Sequence, residues 1–162
     1  MQRIYISDTN LWIDFDHAGL LDALFALPFT FVSTDFVVGE LSHPAPAGLR
    51  ARGLVVETLG EDAVAQLFGL MDQHNNSSLA DVSCYLVAKN QGKPLLTGDG
   101  RLRKQAAKDG LEVRGALWLL DQLVAHDIIA TAHAAAALQA MLDAGARLPQ
   151  AECTHRLVAW LA

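Results

Sequence analysis

Short apolar segments alternate with helical segments along this chain, and that alternation restricts the possible folds more than any other feature of the sequence. The segments with the β-branched, aromatic and leucine-rich character of buried strands are residues 3–8, 29–33, 54–57, 94–96 and 111–113. Segments with apolar residues at helical spacing separate them. Strands that alternate with helices indicate an α/β fold, here an α/β/α sandwich around a mainly parallel central sheet.

The predicted helices follow the same alternation. They begin at Thr9 or Asn10, cover residues 20–27, 36–41 and 61–73, begin again at Ser77 or Ser78, run from Asp99 to Lys108, and cover residues 116–126, 130–144 and 152–161. The segment around Pro44 and Pro46 is predicted to be a loop. Because 162 residues can bury one core, we expect one domain over residues 1–162, with an α/β core (1–126) and a helical C-terminal extension (127–162).

The composition argues against several classes of protein. No apolar run approaches the roughly 20 residues of a membrane-spanning helix, and Asp8 interrupts the segment where a secretory signal needs continuous apolar residues. We therefore expect a cytoplasmic protein with no membrane partner. Cys84 and Cys153 are far apart and form no CxxC pair, so they are interpreted as reduced core thiols, not as a zinc site or a disulfide.

The net charge of −6 is unfavourable for binding a nucleic acid, because phosphate binding depends largely on Lys and Arg. The distribution of charge is more favourable than the total. Seven of the twelve basic residues lie between residues 89 and 114, where three acidic residues oppose them. This segment is the best candidate for contact with a polyanion.

Two of the predicted strands end in an acidic residue, Asp8 and Asp99. In a parallel sheet the carboxyl ends of the strands form the functional crevice, so these side chains are expected to lie close together. Adjacent carboxylates repel each other unless a cation lies between them. A divalent ion with a preference for oxygen ligands, Mg²⁺ or Mn²⁺, fits this arrangement.

Glu40 and Asp81 are expected to approach the same site from helices, because each lies in an apolar helical neighbourhood without a nearby Lys or Arg. Each acid has an ordinary structural interpretation when taken alone. Asp8 and Asp99 can be turn or cap residues, Asp81 can compensate a helix dipole, and Glu40 can be solvated. Asp14 and Asp16, near the first acid, are expected to face solvent, although Asp14 could brace the site. The set of four supports the site more than any member does.

The motifs that carry a family resemblance are Asp8-Thr9-Asn10 after an apolar strand, Glu40 on a helix, Leu79-Ala80-Asp81 at the start of a helix, and Leu96-Thr97-Gly98-Asp99. In order and spacing these resemble the PIN-domain ribonucleases, especially the single-domain branch that includes the VapC toxins. The basic segment 100–107 and the tail 142–149 are also similar to that branch.

The resemblance implies that Asp8, Glu40, Asp81 and Asp99 bind metal and act in catalysis, with Asn10 and Thr97 supporting them. It leaves open whether Glu40 is a ligand or orients the attacking water. Many relatives carry one more acid four or five residues after the last one, where this chain has Arg103 and Lys104. This departure favours one firmly held metal ion over two.

The resemblance also implies a function: Mg²⁺- or Mn²⁺-dependent hydrolysis of RNA phosphodiester bonds by an endoribonuclease. Candidate contacts to the RNA backbone are Arg101, Arg103, Lys104 and Lys108, for which a solvated basic helix face is an equal alternative. A toxin role would require an antitoxin protein as partner. The apolar segment 20–27 could form a homodimer face, although burial within the monomer explains it equally well.

Two alternatives remain at this point. A catalytically degenerate PIN-like module that binds or regulates is favoured mildly by the missing fifth acid and the negative charge, whereas retention of all four principal acids favours an enzyme. A phospho-acceptor receiver domain also clusters acids at strand ends. It predicts paired acids after the first strand and a late strand-end Lys, and neither is cleanly present.

Overall fold

A computed structural model describes residues 3–162 and shows five strands in one all-parallel sheet. The strands are β1 (Arg3–Ser7), β2 (Phe29–Thr34), β3 (Val55–Glu57), β4 (Leu95–Leu96) and β5 (Val113–Arg114). Their order is β3-β2-β1-β4-β5. Because β2 and β4 lie on opposite sides of β1, the sheet reverses its direction of growth between β1 and β4, which is where open α/β sheets place their binding crevice.

Helices cover both faces of this sheet, and the predicted α/β class is confirmed. They are α1 (Thr9–His17), α2 (Leu21–Phe25), α3 (Asp35–Glu40), α4 (Pro46–Arg52), α5 (Glu61–Met71), α6 (Leu79–Gln91), α7 (Gly100–Lys108), α8 (Ala116–Ala125), α9 (Thr131–Asp143) and α10 (Gln150–Leu161). Residues 1 and 2 of the expected 1–162 domain lie outside the described residues.

The core forms around β1, where Tyr5 and Ile6 are fully buried. A central strand of a doubly covered sheet has apolar residues on both faces, which explains the continuous apolar character of its sequence. Helix α6 is the most deeply buried helix among the described residues, with residues 80–88 all buried. Its N-terminal turn therefore has a fixed position beside the ends of β1 and β4.

Three local predictions were wrong in detail. The predicted helix 20–27 is reduced to α2, because Gly19 adopts a positive φ of 68° and ends the preceding turn. The predicted loop after Pro44 contains α4, which begins at Pro46, a position where proline's missing amide hydrogen is tolerated. Strand β5 begins at Val113, because the Leu111 amide donates to the Ala106 carbonyl and closes the end of α7.

The C-terminal helices form part of the body of the molecule. Helix α9 packs against α1, α8 and α10, and its residues Leu138 and Met141 are fully buried. The loop from Gly145 to Leu148 between α9 and α10 consequently lies beside the carboxyl edge of the sheet. None of the helices within residues 3–162 has the length and apolar character needed to cross a bilayer.

Candidate carboxylate metal centre

Asp8 follows β1 and is the N-cap of α1, with 1% of its surface exposed. Its Oδ1 atom accepts a hydrogen bond from the Leu11 amide at 3.1 Å. Its Oδ2 atom accepts from the Thr97 hydroxyl at 2.8 Å and from the Gly98 amide at 3.3 Å. The carboxylate is therefore fixed between the ends of β1 and β4.

Asp99 has the equivalent position after β4, as the N-cap of α7. Its Oδ1 atom accepts from the amides of Arg101 and Leu102, and its Oδ2 atom accepts from the Ser77 hydroxyl at 2.6 Å. Both strand-end acids thus have the capping role that is their ordinary structural interpretation. A carboxylate oxygen has more than one acceptor direction, so capping leaves further acceptor capacity on each group.

Thr97 connects the two strand-end acids. Its buried hydroxyl donates to Asp8 and accepts from the Asp99 amide at 3.1 Å. A single hydroxyl therefore sets the orientation of one carboxylate and the backbone position of the other. This is the supporting role expected for Thr97 from the sequence.

Asp81 lies in the first turn of α6 with 7% of its surface exposed. Its amide donates to the Ser78 hydroxyl, which caps the helix. Its side-chain Oδ1 atom is buried and has no hydrogen-bond partner among residues 3–162. A buried carboxylate oxygen without a partner is unfavourable unless a cation or a donor from outside the chain meets it.

Glu40 is the last residue of α3, and its side chain is exposed. Its Oε2 atom accepts from the Thr9 hydroxyl at 2.7 Å. Glu40 lines a cleft next to the one that Asp8 and Asp99 line, and Asp81 and Asn10 line both clefts. Of the four predicted acids, the structure brings Asp8, Asp81 and Asp99 into one cleft and leaves Glu40 beside it.

The cleft that contains the three acids, called here the carboxylate cleft, has a volume of about 330 Å³. It lies at the carboxyl ends of β1 and β4 and reaches to the α9–α10 loop. Its walls are Asp8, Asn10, Leu11, Asp14, Asp81, Gly98, Asp99, Ala116, Gly145, Ala146, Arg147 and Leu148. Asn10, expected from the family resemblance to support the acids, lines the cleft with an exposed side chain.

The electrostatics of the cleft disfavour ionised carboxylates. Burial raises the pKa of Asp8, and its hydrogen bonds to Thr97, Leu11 and Gly98 oppose the rise. Burial, followed by repulsion from Asp8, Glu40 and Asp99, raises the pKa of Asp81 to about 7. Burial and the charge of Asp8 raise the pKa of Asp14 to about 6. Raised acid pKa values that stem from burial and like charges are typical of functional sites.

The atoms that line the cleft are of the type that binds a divalent cation, but among the described residues their spacing does not form a complete ligand set. The donors are carboxylate oxygens, which Mg²⁺ and Mn²⁺ prefer, and Asp81 offers an unpartnered oxygen. Within residues 3–162, however, no three His, Cys, Asp or Glu side chains converge closely enough to hold a metal ion. Asp8 and Asp99 accept hydrogen bonds from Thr97 and Ser77, so both carboxylates are oriented by partners within the chain.

The four predicted RNA contacts all lie on α7, but they differ in solvent exposure. Arg101, Lys104 and Lys108 are exposed on the helix surface. Arg103 is partly buried, and its guanidinium donates to the Thr97 carbonyl at 2.9 Å. Arg103 thus braces the end of β4 behind the carboxylates.

Sequence reasoning assigned no role to three residues around the site, Thr9, Ser77 and Arg147. Ser77 and Thr9 hold the carboxylates of Asp99 and Glu40, and serine and threonine carry no sequence signal that separates this role from helix capping. Asp14, for which the sequence left both solvent exposure and a bracing role open, lines the cleft. Arg147 also lines the cleft, and its place was not predictable from the sequence because it depends on how α9 packs.

Comparison with known proteins agrees with the architecture. A family model described as a PIN domain matches residues 4–160. Among solved structures, a PilT N-terminus domain protein from the hyperthermophilic archaeon Sulfolobus solfataricus P2 is similar with a TM-score of 0.52 and 14% sequence identity, over 75% of this chain and 93% of that one. No curated protein matches the sequence. At 14% identity the structural likeness supports the fold alone.

Proposed function

Because the chain belongs to the PIN-domain family, whose members are commonly metal-dependent nucleases, we propose that it is a Mg²⁺- or Mn²⁺-dependent endoribonuclease. One observation carries the proposal. The carboxylates of Asp8, Asp81 and Asp99 share one cleft at the reversal point of the sheet, and a buried Asp81 oxygen there has no partner among residues 3–162.

In this proposal Asp8, Asp81 and Asp99 hold the metal ion directly or through water. The ion, when bound, lowers the pKa of a water molecule and neutralises charge that grows on the phosphate. Thr97 and Ser77 orient the carboxylates by donating hydroxyl hydrogens, which restricts them to a few rotamers. Asn10, on the rim, is available to orient substrate or water.

Glu40 is proposed to orient the attacking water and accept its proton, not to bind the ion directly. Its exposed carboxylate lies in the neighbouring cleft, where Thr9 holds one of its oxygens and leaves the other available. A general base must reach the proton that it removes but need not touch the metal. Glu40→Gln should then lower the rate of cutting far more than the affinity for metal.

The test is cleavage of a 5′-labelled single-stranded RNA with Mg²⁺ or Mn²⁺. We expect cutting that stops in EDTA and falls at least about 100-fold in Asp8→Asn and Asp99→Asn. The matched control is Asp72→Asn, which removes an exposed carboxylate at the end of α5. Full activity in both site variants would remove the basis of the site assignment.

A non-catalytic module is the second candidate, and one observation favours it. The carboxylates of Asp8 and Asp99 are both engaged within the chain, and no three ligands converge within the described residues. If the wild-type protein cuts no RNA in a broad panel and titration calorimetry detects no Mg²⁺ or Mn²⁺ binding, this candidate replaces the first.

A toxin role, an antitoxin partner and a homodimer are parts of the proposal that rest on the family resemblance. A cytoplasmic location is also proposed, and it rests on the sequence, which has no membrane-spanning apolar run and no secretory signal pattern. The gene immediately upstream tests the first two, since an antitoxin is normally a small DNA-binding protein encoded there. For the homodimer, Leu20, Leu21, Leu24 and Leu27 are buried within the monomer, so the face first considered is not free. Sedimentation of the purified protein tests the dimer directly.

A further inference from the structure

A second groove adjoins the carboxylate cleft and has the opposite charge. It lies between β5, the N-terminus of α8 and the α9–α10 loop, and it is called here the basic groove. Arg103, Arg114, Arg147 and Arg156 line it, and Glu152 is the acidic residue in its wall. The two depressions share Gly98, Ala116, Arg147 and Leu148 in their walls, so they lie side by side on the surface.

Arg147 lines both the carboxylate cleft and the basic groove. Among the residues described as lining the carboxylate cleft, it is the only Lys or Arg. Its side chain is exposed, and it makes no ion pair or hydrogen bond with residues 3–162. A free guanidinium beside a group of carboxylates is available for a phosphate that spans the cleft and the groove.

Arg114 is the second available cation of the groove. Its guanidinium lies over the Trp118 ring, 5.6 Å from the ring centre, and its Nε atom is 3.8 Å from Glu112. The ring contact favours this position of the guanidinium, and 46% of the Arg114 side chain is exposed to solvent. By contrast, Arg156 is held by two hydrogen bonds to Asp121, so its charge is compensated.

We propose that the basic groove binds the backbone of a single RNA strand next to the bond that is cut, with Arg147 and Arg114 on successive phosphates. This inference rests on the proposed nuclease function in one respect: the strand is taken to run from the carboxylate cleft, where it would be cut, into the basic groove. It places strand binding on the α9–α10 side of the molecule. The exposed basic face of α7 (Arg101, Lys104 and Lys108), predicted from the sequence, lines neither depression in the described structure.

Binding can be measured without cutting, by fluorescence anisotropy of a labelled single-stranded RNA in EDTA. We expect Arg147→Ala and Arg114→Ala each to weaken binding about tenfold, the effect of losing one charge-assisted phosphate contact. Arg147→Lys should retain part of the affinity, because it keeps the charge and loses the paired donors. Arg50→Ala is the matched control. Arg50 is exposed on α4 and lines neither depression, so its substitution removes the same charge elsewhere on the surface.

The outcomes separate this inference from the proposed function. Weaker binding in the Arg147 and Arg114 variants, with Arg50→Ala unchanged, supports the groove even if the protein cuts no RNA. Losses equal to that of Arg50→Ala overturn the groove even if the protein cuts RNA. A loss confined to Arg101→Ala and Lys104→Ala overturns it as well and assigns the strand to α7. Circular dichroism of each variant confirms that these exposed substitutions leave the fold intact.

Discussion

At the scale of single residues, Asp81 is a buried acid whose electrostatic neighbours are three further acids. Asp81→Asn removes its charge and keeps its shape. In EDTA at pH 8 we expect the variant to be more stable than wild type by about 1–2 kcal/mol, or a few degrees in Tm. With Mg²⁺ or Mn²⁺ added, wild type should gain Tm and the variant should gain much less.

Thermal melts with Asp72→Asn as the control check this prediction, because that exposed carboxylate should leave both values unchanged. A variant that melts below wild type in EDTA would show that Asp81 stabilises the metal-free fold. That result would contradict the view that the charge of Asp81 destabilises the metal-free fold and that a bound cation offsets this effect.

The same carboxylate predicts how stability depends on pH. The pKa of Asp81 rises from 3.8 when exposed to about 7 in the fold, so the folded state binds this proton more tightly than the unfolded state does. Its contribution to stability is therefore complete below pH 4 and is lost as pH rises through 7. In EDTA we expect the Tm to fall between pH 5 and pH 8, and divalent ions should restore more stability at pH 8. A profile that is unchanged in Asp81→Asn would contradict this assignment.

Thr97 is the residue where a single atom affects two carboxylates. Thr97→Val keeps the volume but leaves Asp8 and the Asp99 amide without their partner. We expect a loss of about 2–3 kcal/mol in stability and of about 10–100-fold in metal affinity. Thr97→Ser keeps the hydroxyl and should retain most of both. Calorimetric titration with Mn²⁺ and urea unfolding measure the two effects.

The part of the candidate site that could be predicted from the sequence is its acids, because residue type and position relative to strand and helix ends identify them. Asp8 and Asp99 follow from strand ends, and Asp81 from the start of a helix. The separation of Glu40 into a neighbouring cleft was not predictable, because it depends on the angle at which α3 leaves β2. Arg147 was not predictable either, since it reaches the cleft only through the packing of α9 on α1 and α8.

At the scale of elements, the packing of the Arg103 side chain of α7 against the N-terminus of α8 depends on Gly115. A Cβ atom at this position would be 2.9 Å from the Arg103 Nη1 atom and 3.8 Å from the Thr97 carbonyl oxygen. Gly115→Ala should therefore displace the Arg103 guanidinium from that carbonyl and lower stability by about 1–2 kcal/mol.

A double-mutant cycle isolates this effect. If Gly115→Ala acts through Arg103, it should cost little more in an Arg103→Ala background than Arg103→Ala costs alone, as measured by urea unfolding. Fully additive losses would instead indicate that the new methyl group disturbs the backbone of β4.

The elements themselves were predicted best where the apolar period was long. Helices α5, α6, α8 and α9 begin and, where an end was predicted, end within a few residues of the prediction. Their apolar residues recur at helical spacing because they pack against the sheet or a neighbouring helix. Prediction failed for α4 and for the start of β5. In those segments proline position and the hydrogen bonds that close α7 decide the structure, and neither leaves an apolar period.

At the scale of the whole molecule, a chain of net charge −6 is expected to bind RNA through one local basic surface. Affinity for a single-stranded RNA should then fall with salt concentration, with a slope of log K against log salt near −1.4 for two phosphate contacts. Arg147→Ala should reduce the slope by about 0.7 and Arg50→Ala should not change it. A slope that is the same in wild type and Arg147→Ala would exclude a direct phosphate contact at Arg147.

The carboxylate cleft takes its walls from distant parts of the chain: Asp8 comes from the end of β1 and Arg147 from the loop after α9. During synthesis, the second edge of β1 can pair only after β4 has been made. The wall that the α9–α10 loop contributes to the cleft is added later still. A growing chain that has not yet reached residue 145 therefore holds all the acids but lacks Arg147. If the cleft binds RNA as proposed, a chain that is still being synthesised acquires its carboxylates well before it acquires the arginine that would hold the strand.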